Sequence, residues 1–329
     1  MIVITGGAGF IGSAMLWHLN QQGISDAFVV DELSKTEKWQ NLAGLQFSEY
    51  FHKNEFLDYL LNEKNSDIDA IIHMGAISAT TETDADLLMK NNFEYTKSLA
   101  LFSVQHNIRF IYASSAATYG NGDMGYSDEL ADTFKLRPLN MYGYSKHLFD
   151  LWAIKNEIIN KIVGLKFFNV FGPNEYHKDD MTSVVFKAYH QILETGKVRL
   201  FKSHRPDFTD GGQSRDFVYV KDCLKVMQWL MENPQVNGVY NIGTGKARSF
   251  YDLTAATFAA MDKPINIEYF PMPEHLQGKY QYFTQADMSK LQQAGCPVTF
   301  GSLEENVKDY VQNHLMQPIP YLQSNISQG

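Results

Sequence analysis

Short, nearly continuous apolar runs recur through the first half of the chain: IVIT (2–5), AFVVD (27–31), AIIHMGA (70–76), RFIYASS (109–115) and VGLKFFNVF (163–171). A strand with one face in water alternates apolar and polar residues, and these runs do not alternate. Continuous apolar strands belong to a parallel sheet covered on both faces. The stretches between them carry helical periodicity, as in FIGSAMLWHLNQQG (10–23), where Gly23 supplies a C-terminal stop. This βαβα rhythm predicts an α/β fold built on a Rossmann-like, doubly wound parallel sheet.

Beyond about residue 172 the rhythm loosens. Turn-rich segments at 204–214, 243–249 and 270–278 alternate with helical runs near 181–195, 220–232 and 249–261. The pattern predicts a smaller mixed α/β substrate lobe on the sheet, with the cleft between them as the ligand site. The expected division is 1–172 for a dinucleotide-binding domain and 173–322 mainly for the substrate-binding lobe, with the chain crossing back later. The polar end QSNISQG (323–329) reads as a disordered tail.

Composition narrows the function classes. A hydrophobic content of 44% is enough for a sizeable core and argues against disorder. The formal net charge of −9 disfavours nucleic acid as a partner. No apolar run is long enough to span a bilayer, and MIVIT lacks the basic flank of a signal peptide. Cys223 and Cys296 form no paired motif, so the expectation is a reduced, cytoplasmic setting and no metal site.

The candidate chemistry starts at TGGAGFIG, directly after the first apolar run. Gly6 permits a tight turn, Gly9 lets the backbone approach a pyrophosphate, and Gly12 lets helix and strand pack closely. The helix N-terminus then faces the phosphates. Asp31 closes the second run, where an acidic residue meets a ribose hydroxyl and favours NAD. Lys35 and Lys38 follow closely and suit a 2′-phosphate instead, so NADP and NAD both stay open at this level. Further along, MYGYSK places Tyr142 and Lys146 four residues apart on one helical face. An ammonium beside a phenol favours the phenolate, whose pKa is about 10 when unperturbed, and makes Tyr142 a candidate base. Ser115 ends the fourth long run and is placed to hydrogen-bond the same substrate oxygen, its plainer role being a helix cap. His73, at a strand end, reads as a structural hydrogen-bonding group.

The three elements in this order resemble the extended short-chain dehydrogenases/reductases, the NAD-dependent epimerase/dehydratase family. Within it, NVFGPNEYHK, SATTETD, MYGYSK, RDFVYV and QGKYQYFTQAD are similar to the ADP-L-glycero-D-manno-heptose 6-epimerases. That resemblance implies an isomerase for lipopolysaccharide core heptose, a tightly held NADP (NAD possible), an ADP-sugar substrate and a homo-oligomer, a pentamer or its dimer. It also assigns residues. Tyr142, Lys178, Lys146 and Ser115 become catalytic. Gly6, Gly9, Phe10, Ile11, Gly12, Asp31, Glu32, Lys38, Lys53, the segment Met74, Gly75, Ala76, Ile77 and Ser78, then Asn91, Lys146, Val170 and Lys178 become cofactor-binding. Ser78, Asn169, Asp180, Lys187, Phe201, Arg215 and Tyr280 become substrate-binding. The chain departs from the resemblance at Asp180, Lys187 and Met74, where serine, histidine and glutamate are usual, and in a longer 201–214 stretch.

Read alone, the HKDD run at 177–180 is a charged loop after a Gly-Pro turn. Inversion at a carbinol carbon gives Lys178 a role. Hydride leaves and returns to the opposite face, so the carbonyl turns over between the steps. One fixed acid/base cannot reach both orientations, and the resemblance supplies Tyr142 for one and Lys178 for the other. The competing readings are a UDP-sugar 4-epimerase, which needs no Lys178, and a cofactor-binding regulator without chemistry.

Overall fold

The computed structural model describes residues 1–62, 67–274 and 281–324. Among these residues the strands are β1 Ile2–Thr5, β2 Ala27–Asp31, β3 Glu49–His52, β4 Ala70–His73, β5 Arg109–Ser115, β6 Val163–Phe167, β7 Asn169–Phe171, β8 Val198–Phe201, β9 Ser214–Tyr219, β10 Gly238–Ile242, β11 Ala247–Ser249 and β12 Ile267–Phe270. The principal sheet has seven strands in the order β3-β2-β1-β4-β5-β6-β10. Every pair in it is parallel. Strand order reverses between β1 and β4, which opens a crevice at the carboxyl ends of those strands.

The apolar runs are continuous because both faces are buried. Ile4, Val29, Ile72, Ile111 and Leu165 pack with Met15, Leu16 and Leu224 on one side. Val3, Val30, Ile71, Phe110 and Tyr112 pack with Phe56, Leu99 and Phe149 on the other. Helix boundaries follow local chemistry. Asn140 Oδ1 accepts from Gly143 N at 2.8 Å and caps the helix Met141–Lys155. Ser183 opens the helix Val184–Thr195, and Gly196, at φ 70°, closes it.

Three features differ from the sequence pattern, and a fourth, the return of the chain to the large sheet, is the later crossing described above. The apolar run at 70–76 forms a strand only to His73, and its remainder is loop. VGLKFFNVF divides at Phe168 into β6, in the large sheet, and β7, which leaves for a three-stranded sheet β11-β9-β7. The chain returns after residue 173, since β10 pairs with β6. The end is held through Ser324, two residues into the segment expected to be disordered. Trp17 Nε1 donates to the Gln323 carbonyl at 3.0 Å, and Ser324 N donates to the Gly44 carbonyl at 2.9 Å. Residues 325–329 lie outside the described residues.

Candidate active site

The glycine loop follows β1. Gly6 has φ 67°, and a Cβ there would stand 2.5 Å from Gly75 N, so two loops touch backbone to backbone. A Cβ on Gly12 would stand 2.1 Å from the Gly6 carbonyl oxygen, which leaves no room for a side chain. The helix Phe10–Gln21 starts at Gly9 with no side-chain cap and no acidic residue in its first turn. Its leading N–H groups therefore suit an anion such as a pyrophosphate. Phe10 is buried and Ile11 half-buried beside them.

Around the carboxyl end of β2, five predicted residues form a linked cluster. Asp31 Oδ2 accepts from Ala8 N at 2.9 Å, and its Oδ1 accepts from Glu32 N at 2.7 Å and Lys38 Nζ at 2.6 Å. Lys53 Nζ lies 2.6 Å from Glu32 Oε2 and donates to Asn91 Oδ1 at 2.9 Å. The Lys53 hydrogen bond holds the Glu32 carboxyl below its ordinary pKa. Asp31 thus braces the glycine loop and is already paired with a lysine.

The 74–78 segment leaves β4, with Met74 N donating to the Thr5 carbonyl at 2.9 Å. Met74, Gly75, Ala76 and Ile77 are half-buried and Ser78 is exposed. A buried asparagine that the sequence reading passed over clamps this segment. Asn92 accepts from Ile77 N at 2.9 Å and donates to the Ile77 carbonyl at 3.0 Å and Ser145 Oγ at 3.1 Å. The widened π-helical turn Met89–Glu94 presents both Asn91 and Asn92, a backbone form frequent at functional sites. His73 is structural as expected: its ring bonds Thr5 Oγ1 at 2.5 Å and Thr96 Oγ1 at 2.8 Å.

Ser115 ends β5, and its Oγ accepts from Ala117 N at 3.1 Å, so it does cap the turn that follows. Its side chain also stands beside the Tyr142 phenol. Burial pushes the Tyr142 phenol up, and the Ser115 hydroxyl works the other way. The offset expected from Lys146 comes instead from this serine. The Lys146 ammonium donates to the Ala113 carbonyl at 2.8 Å, and burial lowers its pKa to about 8.

Lys178 lies in the 3-10 turn Tyr176–Met181, half-buried, with Nζ 5.2 Å from the centroid of the Phe10 ring. The charged loop therefore sits on the glycine loop. Asn41 fixes this contact: its Nδ2 lies 2.9 Å from the Ala8 carbonyl, 3.1 Å from the Asn174 carbonyl and 3.2 Å from His177 Nδ1. Asn174, at φ 76°, donates to Ser13 Oγ at 3.0 Å in the first helix. Burial lowers the Lys178 pKa, the buried Glu175 carboxyl opposes this, and Lys187 adds to it. Glu175 is locked by Ser183 N and Oγ, both at 2.6 Å. The opposing carboxylate is thus Glu175, not the neighbouring aspartates, which are exposed. Asp179 takes φ 45° at the kink, a strained backbone for a non-glycine residue.

The substrate-side residues are more dispersed. Asn169 and Val170 lie on β7 beyond the end of β6, with Asn169 exposed and paired in register with Phe217 of β9. Lys187 Nζ donates to the Asp180 carbonyl at 2.6 Å, so these two meet through backbone rather than through the Asp180 side chain. Arg215, two residues before Phe217, is buried, donating to the Ser214 carbonyl at 2.9 Å and to the Gln281 carbonyl. Phe201 stands apart in the two-stranded sheet β12-β8, its ring 4.9 Å from that of Phe270. Tyr280 lies outside the described residues.

Residues 2–243 match the model of the NAD dependent epimerase/dehydratase family. The chain is 57% identical to an ADP-L-glycero-D-manno-heptose-6-epimerase of Nitratidesulfovibrio vulgaris, covering 98% of this chain and 100% of that one. It is 52% identical to the protein of the same name from Fusobacterium nucleatum, again over 98% and 100% of the two chains. Among solved structures, the Helicobacter pylori ADP-L-glycero-D-manno-heptose-6-epimerase superposes with a TM-score of 0.80 at 29% identity, over 95% of both chains.

Proposed function

The chain belongs to the NAD dependent epimerase/dehydratase family, and on that premise we propose that it inverts C6″ of ADP-D-glycero-D-manno-heptose to give ADP-L-glycero-D-manno-heptose. The observation that carries this reading is the end-to-end likeness to epimerases of that name, at 57% and 52% identity. The product is a precursor of lipopolysaccharide core heptose. The cofactor is a nicotinamide dinucleotide, and the uncapped helix after Gly9, with the side-chain-free approach at Gly6 and Gly12, fits its pyrophosphate.

Bound nicotinamide supplies acceptance of a hydride and its return. The chain's own groups manage the hydroxyl proton. Tyr142 takes or returns it in one orientation of the carbonyl, while Ser115 donates to the same oxygen. Lys178 serves the other orientation, because proton transfer needs hydrogen-bond distance in each. Burial favours the neutral Lys178 amine that this role requires. Lys146 holds the nicotinamide ribose. NADP is the form we favour, since Lys38 and Lys53 flank Asp31 and Glu32 and offer cations to a 2′-phosphate. Ser78, Asn169, Asp180, Lys187, Phe201, Arg215 and Tyr280 make up the substrate side, and a cytoplasmic homo-oligomer, a pentamer or its dimer, completes the reading.

The test is turnover of the cofactor-loaded protein, with the heptose products resolved by NMR. Interconversion of the two ADP-heptose epimers is expected. Turnover of UDP-galactose with no action on ADP-heptose refutes the assignment.

A further inference from the structure

Behind Tyr142 and Lys146 lies a buried ionic row that the reaction as described does not use. The helix Met141–Lys155 carries Tyr142, Lys146 and Asp150 at four-residue intervals, one stripe facing the end of β5. Asp150 is fully buried and accepts from Tyr112 Oη at 2.8 Å and Ser114 Oγ at 2.7 Å. Ser114 is in register with Lys166 on β6, and Lys166 with Asn241 on β10, so the three side chains share one face of the sheet. Lys166 is itself fully buried, with Nζ 4.3 Å from the centroid of the Tyr119 ring. Among the described residues its Nζ has no hydrogen-bond partner.

A buried ammonium without hydrogen bonds is held by the field around it. Burial opposes the Lys166 charge, and Asp150, then Asp128, support it. Burial likewise opposes the Asp150 charge; of the groups supporting it, Lys166 acts most strongly and Lys146 least. The charge that opposes the burial of Lys146 is Asp150. The other groups facing the row are Lys290, which donates to the Asp128 carbonyl at 3.0 Å, and His147, whose pKa is lowered to about 4 by burial, by Lys166 and by Arg137. His73 faces Lys146 from β4 and is kept neutral by burial. Tyr112 and Tyr119 are kept neutral by burial as well.

We propose that Lys166 and Asp150 are positioning residues for the reaction, Lys166 keeping Asp150 ionised and Asp150 keeping the Lys146 ammonium charged beside Tyr142. The proposal rests on the epimerase reading of the site. It explains why a fully buried lysine is tolerated in VGLKF, a strand that is otherwise apolar and buried throughout.

The test compares Lys166→Met, Asp150→Asn and the double variant across pH. Loss of the Asp150 charge, directly or through Lys166, lets Lys146 deprotonate earlier. The alkaline limb of kcat/KM is expected to move down by roughly one pH unit or more in each single variant. The double variant moves it no further than Asp150→Asn alone, because both changes remove the same charge. NADPH binding, followed by its fluorescence, reads the same Lys146 proton without turnover and should lose affinity at correspondingly lower pH. A limb that stays in place while kcat falls uniformly overturns the proposal and leaves the row purely structural. Shifts that add in the double variant overturn it too. If Lys166→Met does not fold, Asp150→Asn alone decides by the same limb. Wild-type protein inactive on ADP-heptose at every pH refutes the epimerase reading instead, and the binding titration then still tests the row.

Discussion

Replacing Asn41 by leucine removes the link between the glycine loop and the Lys178 loop at nearly constant volume. Asn41 is 1% exposed, and its two Nδ2 hydrogens serve three acceptors, the Ala8 and Asn174 carbonyls and His177 Nδ1. Leucine takes this donor from the Ala8 and Asn174 carbonyls. Each orphaned acceptor costs about 1–3 kcal/mol. The substitution also removes Asn41 Oδ1, which has no partner among the described residues and is itself unfavourable in place. Two such losses span about 2–6 kcal/mol, and the lower end of that range follows, about 2–3 kcal/mol in all. Unfolding entropy of about 2.1 cal/mol/K per residue over 329 residues converts this to a melting temperature about 3–4 °C lower. Calorimetry of the cofactor-free variant reads that shift. Cofactor affinity and kcat should fall with it, because Phe10 and Lys178 lose their common anchor. A melting temperature within about 1 °C of wild type, with unchanged cofactor affinity, means that Asn41 does not tie the two loops together.

Three further outcomes are expected. Gly12→Ala pushes a methyl onto the Gly6 carbonyl oxygen at 2.1 Å, a backbone atom that cannot swing aside; it should destabilise by about 1–3 kcal/mol and abolish cofactor retention, and a variant purified with full cofactor content contradicts this. Lys38→Ala removes the cation on Asp31 Oδ1 and should weaken NADP more than NAD in parallel fluorescence titrations; equal losses count against the NADP reading. His177 is half-buried and His314 buried, and burial lowers both pKa values to about 4, while the unfolded chain protonates them near 6.5. Unfolding therefore takes up protons between those values, and the stability from these two groups, full above about pH 6.5, is lost as pH falls toward 4. His314→Gln should flatten the dependence of melting temperature on pH in that window, and an unchanged slope contradicts the assignment.

The parallel sheet was legible because burial on both faces writes itself into sequence as unbroken apolar runs, and Gly6, Gly9 and Gly12 were legible because backbone contact tolerates no side chain. The boundaries that failed did so for tertiary reasons. β3 reads EYFH, too short and too polar to stand out before β2 is there to receive it. β10 reads GVYNI but lies 71 residues beyond β6 in a region whose local signals are turns. Candidate site residues that form a spaced motif, such as Tyr142 and Lys146, were visible. Asn41, Asn92, Asp150 and Lys166 were not, because each matters through partners distant in sequence: Asn41 through Asn174, Asn92 through Ser145, Asp150 through Lys166. Lys178 is intermediate. Its seat against Phe10 and its support by Glu175 rather than Asp179 or Asp180 come from the turn that only the fold reveals.

Two groups on different elements, Tyr142 on the helix Met141–Lys155 and Lys178 on the turn Tyr176–Met181, are proposed to serve the two orientations of one carbonyl. The direct measurement is single-turnover reduction of bound cofactor, followed by nicotinamide absorbance, in Tyr142→Phe and Lys178→Met with each ADP-heptose epimer separately. Complementary losses of about 10²–10⁴-fold are expected: each variant fails with one epimer and retains reduction with the other, and neither completes epimerisation. Lys178→Met that reduces cofactor and epimerises both substrates at wild-type rates contradicts it, and so does a pair of variants that fail equally with both epimers.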